Sequence, residues 1–201
     1  MTTEMNLAYQ FDFVYDGQKI FRELLNAMAN PGTVKNISNE VAKFQQAYAP
    51  LLAMGCTLLD NEEKMYVEKN PNLAAELHNL TLCGETELNQ ADYIFLSSEL
   101  NYSSMEEVLR HAKQGTYVDP HKSATIILLC GNINGTEQLN LCGPGVKDVK
   151  TVWVSPYIKK VIALRNSLQI EYPLGVDLVF TDSSGNLLGI PRLTKIVEQG
   201  V

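Results

Sequence analysis

Glu171-Tyr-Pro-Leu-Gly-Val-Asp-Leu-Val-Phe-Thr-Asp-Ser-Ser-Gly-Asn-Leu-Leu-Gly-Ile-Pro-Arg-Leu-Thr-Lys195 carries two apolar runs around a polar turn, with one carboxylate, Asp177, inside the first run. Gly175 to Thr181 and Leu187 to Ile190 are expected to pair as a hairpin. The connecting residues Asp182 to Asn186 all tolerate turn geometry. Side chains alternate along a strand, which puts Asp177 on one face with Val179 and Thr181 and leaves Val176, Leu178 and Phe180 on the other. A carboxylate buried there needs a partner or its pKa shifts until it is neutral. Arg192, Arg22 and Arg165 are the candidates, and the acid is then either half of an internal ion pair or the wall of a ligand pocket. Pro191 ends the ladder, and the Arg192 fork just beyond it suits a carboxylate or a phosphate.

Upstream, Ala124 to Cys130 is a continuous apolar run, too short for most helices and β-branched at its start, as in a strand covered on both faces. Asn134-Gly135 predicts a hairpin returning through Gln138 to Cys142. Gly143-Pro144-Gly145 reverses the chain, or offers the Gly143 and Gly145 N–H groups as an anion nest with Pro144 contributing none. Thr151 to Val154 reads as a strand. Ser155-Pro156 then caps a helix with Tyr157, Val161, Leu164 and Leu168 along one face, and Ile158 and Ile162 beside them.

The N-terminal half alternates in the same way. A helix from Asp16 has Ile20, Phe21, Leu24, Leu25 and Met28 on its apolar stripe, and Asn30-Pro31-Gly32 stops it. Pro50 starts an apolar helix, and Lys64 to Glu68 follows as a strand. Asn70-Pro71 opens a helix with Leu73, Leu77 and Leu80 inward, and Tyr93 to Ser97 is a strand. Ser104 to Glu107 has capping-box spacing, with Gly115 as the stop of its helix. The expected fold is α/β, a layered mixed sheet with helices on both faces. With 201 residues, 45% of them apolar, and no low-complexity linker, residues 1–201 are expected to form a single domain.

A net charge of −7 argues against a phosphate-backbone binder, while a small anion needs only a local cluster. The N-terminus has neither the basic start nor the apolar run of a signal peptide, so the expected location is cytoplasmic. No C-x-x-C pair occurs, and Cys56, Cys83, Cys130 and Cys142 read as small buried apolar residues. His78, His111 and His121 lie in separate segments, so no metal site is expected. The chain lacks a P-loop, G-x-G-x-x-G, G-x-S-x-G or H-E-x-x-H pattern, and no catalytic residue is assigned.

Taken in order, Phe21 to Met28, Pro31-Gly32, Gly115 to Pro120 running into Ala124 to Leu128, Leu141 to Gly145, Tyr172 to Leu178, and Gly189 to Arg192 resemble the PhnH family. That family belongs to the carbon-phosphorus lyase machinery of bacterial phosphonate metabolism. The resemblance implies a fold like that of the pyridoxal phosphate dependent transferases without the cofactor. It also implies a homodimer in isolation and partnership with PhnG, PhnI and PhnJ. The family's complex makes α-D-ribose 1-methylphosphonate 5-triphosphate from ATP and methylphosphonate, and the resemblance implies an accessory role in it. Residues 36–48 and 60–92 match poorly and are expected at the surface or as insertions. The candidate ligand-binding set is Arg22, Gly143, Gly145, Asp177 and Arg192. Two further readings stand beside this one: a free-standing pyridoxal phosphate enzyme, with Asp177 on the pyridinium nitrogen and Lys122 or Lys195 as Schiff base, and a small-anion binding module.

Overall fold

The computed structural model describes residues 10–197. Helix α1 (Tyr15–Ala29) starts where the Asp12 carboxylate accepts the N–H groups of Val14 and Tyr15, each at 2.9 Å, supplying acceptors that a helix start lacks. Its buried face is narrower than its apolar stripe. Ile20, Leu24 and Ala27 are buried, whereas Phe21 and Leu25 are 50% and 57% exposed. Strand β1 (Val34–Asn36), the single turn α2 (Ser38–Val41) and helix α3 (Ala49–Leu58) follow, with Pro50 in the first turn of α3 and residues 49–56 all buried.

Strand β2 (Lys64–Glu68) falls where the sequence predicts it, and Asn70 caps α4 (Pro71–Thr81) by accepting the Leu73 N–H at 3.1 Å. Short β3 (Gly84–Glu85) and β4 (Tyr93–Leu96) come next. Helix α5 (Tyr102–His111) begins earlier than the Ser104 spacing predicts, because Asn101 takes the cap by accepting the Ser104 N–H at 2.9 Å. It also ends before Gly115. β5 (Thr125–Leu129) is the expected covered strand; β6 (Glu137–Cys142) and β7 (Lys150–Val154) lead into α6 (Pro156–Ser167), where Ser155 Oγ accepts the Ile158 N–H at 3.4 Å. The C-terminal hairpin is β8 (Asp177–Thr181) with β9 (Asn186–Ile190), and β10 (Lys195–Ile196) ends the described chain.

Seven strands form one sheet in the order β1-β9-β8-β5-β4-β2-β3. The pairs from β3 through β8 are parallel, and β8–β9 and β9–β1 are antiparallel. Ile126, Leu178, Phe180 and Leu188 face α5, α6 and β6, while Ile127, Val179, Phe95 and Leu187 face α1, α3 and α4. Two cores on opposite faces make the sheet the middle of three layers, which explains why its central strands read as unbroken apolar runs.

Two expectations are corrected. Asn134-Gly135 closes no hairpin onto β5: β6 pairs with β7 and β10 in a separate three-stranded antiparallel sheet. A Cβ on Gly135 would stand 2.4 Å from the Val154 carbonyl oxygen, so this glycine serves a close approach to the end of β7. Residues 60–92 are not superficial. They supply β2, α4 and β3, and bury Met65, Leu73 and Leu77 completely, because poor resemblance measures sequence drift and not exposure.

Candidate functional site

Asp177 is the first residue of β8, lying beside Thr125 of β5, which in turn lies beside Tyr93 of β4, at the N-terminal edge of the parallel strands. Its Oδ1 accepts the main-chain N–H of Arg192 at 2.7 Å, and its Oδ2 lies 3.5 Å from Arg192 Nη1. Nη1 also donates to Ser123 Oγ at 2.6 Å. The reason is local. Pro191 has no N–H and β9 ends at Ile190, so Arg192 offers the next donor, and Asp177 opposite is within reach. Both side chains are 20% exposed, which makes this a partly solvated ion pair at the hairpin's open end.

Of the other two candidate partners, Arg22 is exposed on α1 and forms no ion pair with Asp177; the expected link from the first helix to the acid through Arg22 is not made. Arg165 has a different task. It is 5% exposed on α6, and its guanidinium donates to the carbonyls of Ile190 and Pro191, each at 3.0 Å, and of Thr194 at 2.5 Å. Burial pushes its pKa down to about 10 while the Asp177 charge holds it up, so it remains a cation at neutral pH. Arg165 thereby fixes the 190–194 segment that carries Arg192. The sequence held a signal for it: Ile158, Val161, Ile162 and Arg165 follow the spacing of one helix face, and an arginine on a buried face needs acceptors.

The Gly143 to Gly145 turn joins β6 to β7. Gly143 has φ 131°, and a Cβ there would lie 2.8 Å from the Leu193 carbonyl oxygen. Gly145 has φ 81°, and its Cβ would meet the Ala29 carbonyl oxygen at 2.4 Å. Both glycines are thus required by close packing between the end of α1 and the residue after Arg192. The Val146 N–H closes the turn on the Gly143 carbonyl at 3.1 Å. Gly145, Asp177 and Arg192 line one groove of about 430 Å³, whose other walls include Leu25, Met28 and Pro191; Gly143 packs behind Leu193 and Arg22 is not in the lining.

On the opposite side of Asp177 a cavity of about 260 Å³ is lined by Glu63, Asp92, His121, Lys122 and Ser123. Burial and the neighbouring Asp92 and Asp60 raise the Glu63 pKa. These residues do not fit pyridoxal phosphate. Both Asp177 oxygens are engaged by Arg192, Lys122 pairs with Asp119 at 3.0 Å, and the two further carboxylates would repel the cofactor's phosphate. Lys195 lines a third cavity, whose lining does not include Asp177. Nor do the buried cysteines supply a nucleophile: burial pushes Cys56 and Cys130 to about 12 and Cys83 to about 11. Among the described residues there is no group of three or more His, Cys, Asp or Glu able to hold a metal ion, and no helix long and apolar enough to cross a membrane.

Residues 9–197 match the model of the PhnH family, described as bacterial phosphonate metabolism protein. A protein of Stutzerimonas stutzeri named as a C-P lyase subunit, HtxG, is 25% identical over 184 residues, covering 91% of this chain and 87% of its own length. The Rhizobium meliloti (strain 1021) protein named alpha-D-ribose 1-methylphosphonate 5-triphosphate synthase subunit PhnH is 22% identical over 194 residues, covering 94% of each. Because the family model spans every described residue, from α1 through β10, the chain belongs to the PhnH family of bacterial phosphonate metabolism proteins.

Proposed function

We propose that this chain is a subunit of the carbon-phosphorus lyase complex and supports formation of α-D-ribose 1-methylphosphonate 5-triphosphate from ATP and methylphosphonate. The observation that carries this reading is the family match along residues 9–197; both relatives described above are themselves named as subunits. The role is accessory. The Asp177–Arg192 pair is tied to its own hairpin and to Ser123, and the cysteine thiols with raised pKa values are poor nucleophiles, an arrangement suited to holding a surface in shape. Leu25 and Met28 give the Arg192 groove an apolar mouth beside exposed Phe21, a combination that suits a partner interface.

In this reading the chain folds as one domain, works in the cytoplasm with PhnG, PhnI and PhnJ, and is a homodimer when isolated. The seven-stranded mixed sheet between two helical layers is in keeping with a pyridoxal phosphate transferase fold that has no cofactor. Deleting the gene from its own bacterium should abolish growth on methylphosphonate as sole phosphorus source while leaving growth on phosphate intact. Unchanged growth on methylphosphonate would overturn the reading.

A further inference from the structure

The third cavity has a charge pattern opposite in sign to the net charge of the chain. In a chain of net charge −7, its charged lining residues are Arg165, Arg192 and Lys195, with no carboxylate among them. Asn166 and Gln169 add polar groups from α6 and the segment after it, and Gly175 forms part of the floor. We propose that this cavity is a binding site for a small free oxyanion of the phosphate or phosphonate type. The inference goes beyond the subunit assignment and does not depend on it, since it rests on the lining and size of the cavity.

The three cations have separate tasks. Arg165 is committed: its Nη atoms hold the carbonyls of Ile190, Pro191 and Thr194, and Nε and Nη2 also meet Asn166 Oδ1 at 3.3 and 3.2 Å. It contributes a fixed positive field and anchors the segment from which the other two extend, so it is a positioning residue. Arg192 spends only Nη1, on Ser123 and Asp177; its Nε and Nη2 have no acceptor among the described residues. Lys195 is exposed, and its ammonium is in no ion pair among the described residues. Two lining residues with unspent donors, beside a buried cation, make a local anion cluster.

Gly175 keeps the cavity open. Its φ is 138°, where side chains are strained, and a Cβ would stand 3.2 Å from Arg192 Cβ. The volume, about 280 Å³, sets the ligand class. A water molecule takes up roughly 30 Å³ of liquid, so the space matches a tetrahedral oxyanion with a small substituent and a few waters. Asp177 lines the other two cavities and not this one, which removes its charge from direct contact with an anion here.

Isothermal titration calorimetry of the full chain at low salt tests this with three probes: inorganic phosphate, methylphosphonate and ATP. Saturable heat is expected with phosphate or methylphosphonate. Losing one charge-assisted contact in Lys195→Ala or Arg192→Gln should weaken binding about tenfold or more. Lys122→Ala removes the same charge from the acidic cavity and should leave binding unchanged. Lys195 is exposed, so Lys195→Ala reports on binding even if a change at Arg192 disturbs the hairpin. Absence of saturable heat with all three probes overturns the proposal, as does equal weakening by Lys122→Ala. ATP binding more tightly than phosphate overturns the assignment to a free oxyanion.

Discussion

Asp177 holds Arg192 twice, accepting its main-chain N–H at 2.7 Å and facing its guanidinium at 3.5 Å. The shorter contact is to the backbone, so the acid first fixes the direction of the chain after Pro191 and only then orients a side chain. Asp177→Ala should cost about 1 to 3 kcal/mol by leaving that N–H without its acceptor. Asp177→Asn retains an acceptor oxygen and should cost less. Arg192→Ala, which keeps the N–H, should be the mildest in stability yet impair assembly or growth on phosphonate. Urea unfolding midpoints rank the three; an Arg192→Ala loss equal to that of Asp177→Ala would make the side-chain contact dominant.

Arg165 is the more consequential residue for stability. Replacing it with Met strands the carbonyls of Ile190, Pro191 and Thr194, and should cost about 3 kcal/mol or more. Lysine carries the charge but has no planar fork, so Arg165→Lys should recover only part of the loss. Thermal melting decides it. Full recovery by Lys would mean that charge alone, and not the three-carbonyl geometry, holds the segment.

Gly17 and Gly145 should respond to alanine in opposite directions. Gly17 lies in α1 with nothing within 4 Å of its would-be Cβ, so Gly17→Ala should stabilise by roughly 0.5 to 1 kcal/mol from reduced backbone entropy. At Gly145 the φ of 81° and the 2.4 Å approach of the Ala29 oxygen make alanine destabilising, and the turn should move away from α1. Denaturation midpoints on the two variants check the sign. A stabilised Gly145→Ala would contradict the packing of the turn on α1.

Asp16 shapes the acid response. Burial alone would raise its pKa, but the bonds from Lys43 at 2.5 Å and from the Asp12 N–H at 2.8 Å outweigh burial and hold it below the usual 3.8. The unfolded chain then binds more protons between the folded value and 3.8, so the contribution is full above that window and is lost as pH falls through it. Asp16→Asn should be less stable near neutrality and lose less on acidification from about pH 5 to about pH 3. Parallel acid-limb slopes for the two proteins would sink this.

What was legible in the sequence had local causes. The caps at Asn70 and Ser155 and the Asp182 to Asn186 turn are short-range chemistry, and the structure forms them where the residues predict. Asn134-Gly135 misled because its turn preference is local, while the pairing of β6 with β7 and β10 is decided by distant residues. The α1 stripe misled for a related reason. Gly189 lets the helix approach so closely that a Cβ there would lie 2.9 Å from the Ala27 oxygen; the apolar residues of the helix buried here are Ile20, Leu24 and Ala27, while Phe21 and Leu25 stay exposed. The candidate groove was readable at Asp177 and Arg192 because a carboxylate inside an apolar strand and an arginine after proline each call for a partner, although the strand begins at Asp177 itself and leaves the acid at its end. Arg165 reads in the sequence only as a possible partner for the acid, since nothing there shows that its acceptors are backbone carbonyls of a segment some 25 residues later.

Membership of a multi-subunit complex is tested by co-expressing the tagged chain with PhnG, PhnI and PhnJ from the same genome. All four proteins should elute together in affinity purification followed by size exclusion with light scattering. Assembly of the other three into a stable complex, with this chain folded but eluting alone, would contradict it.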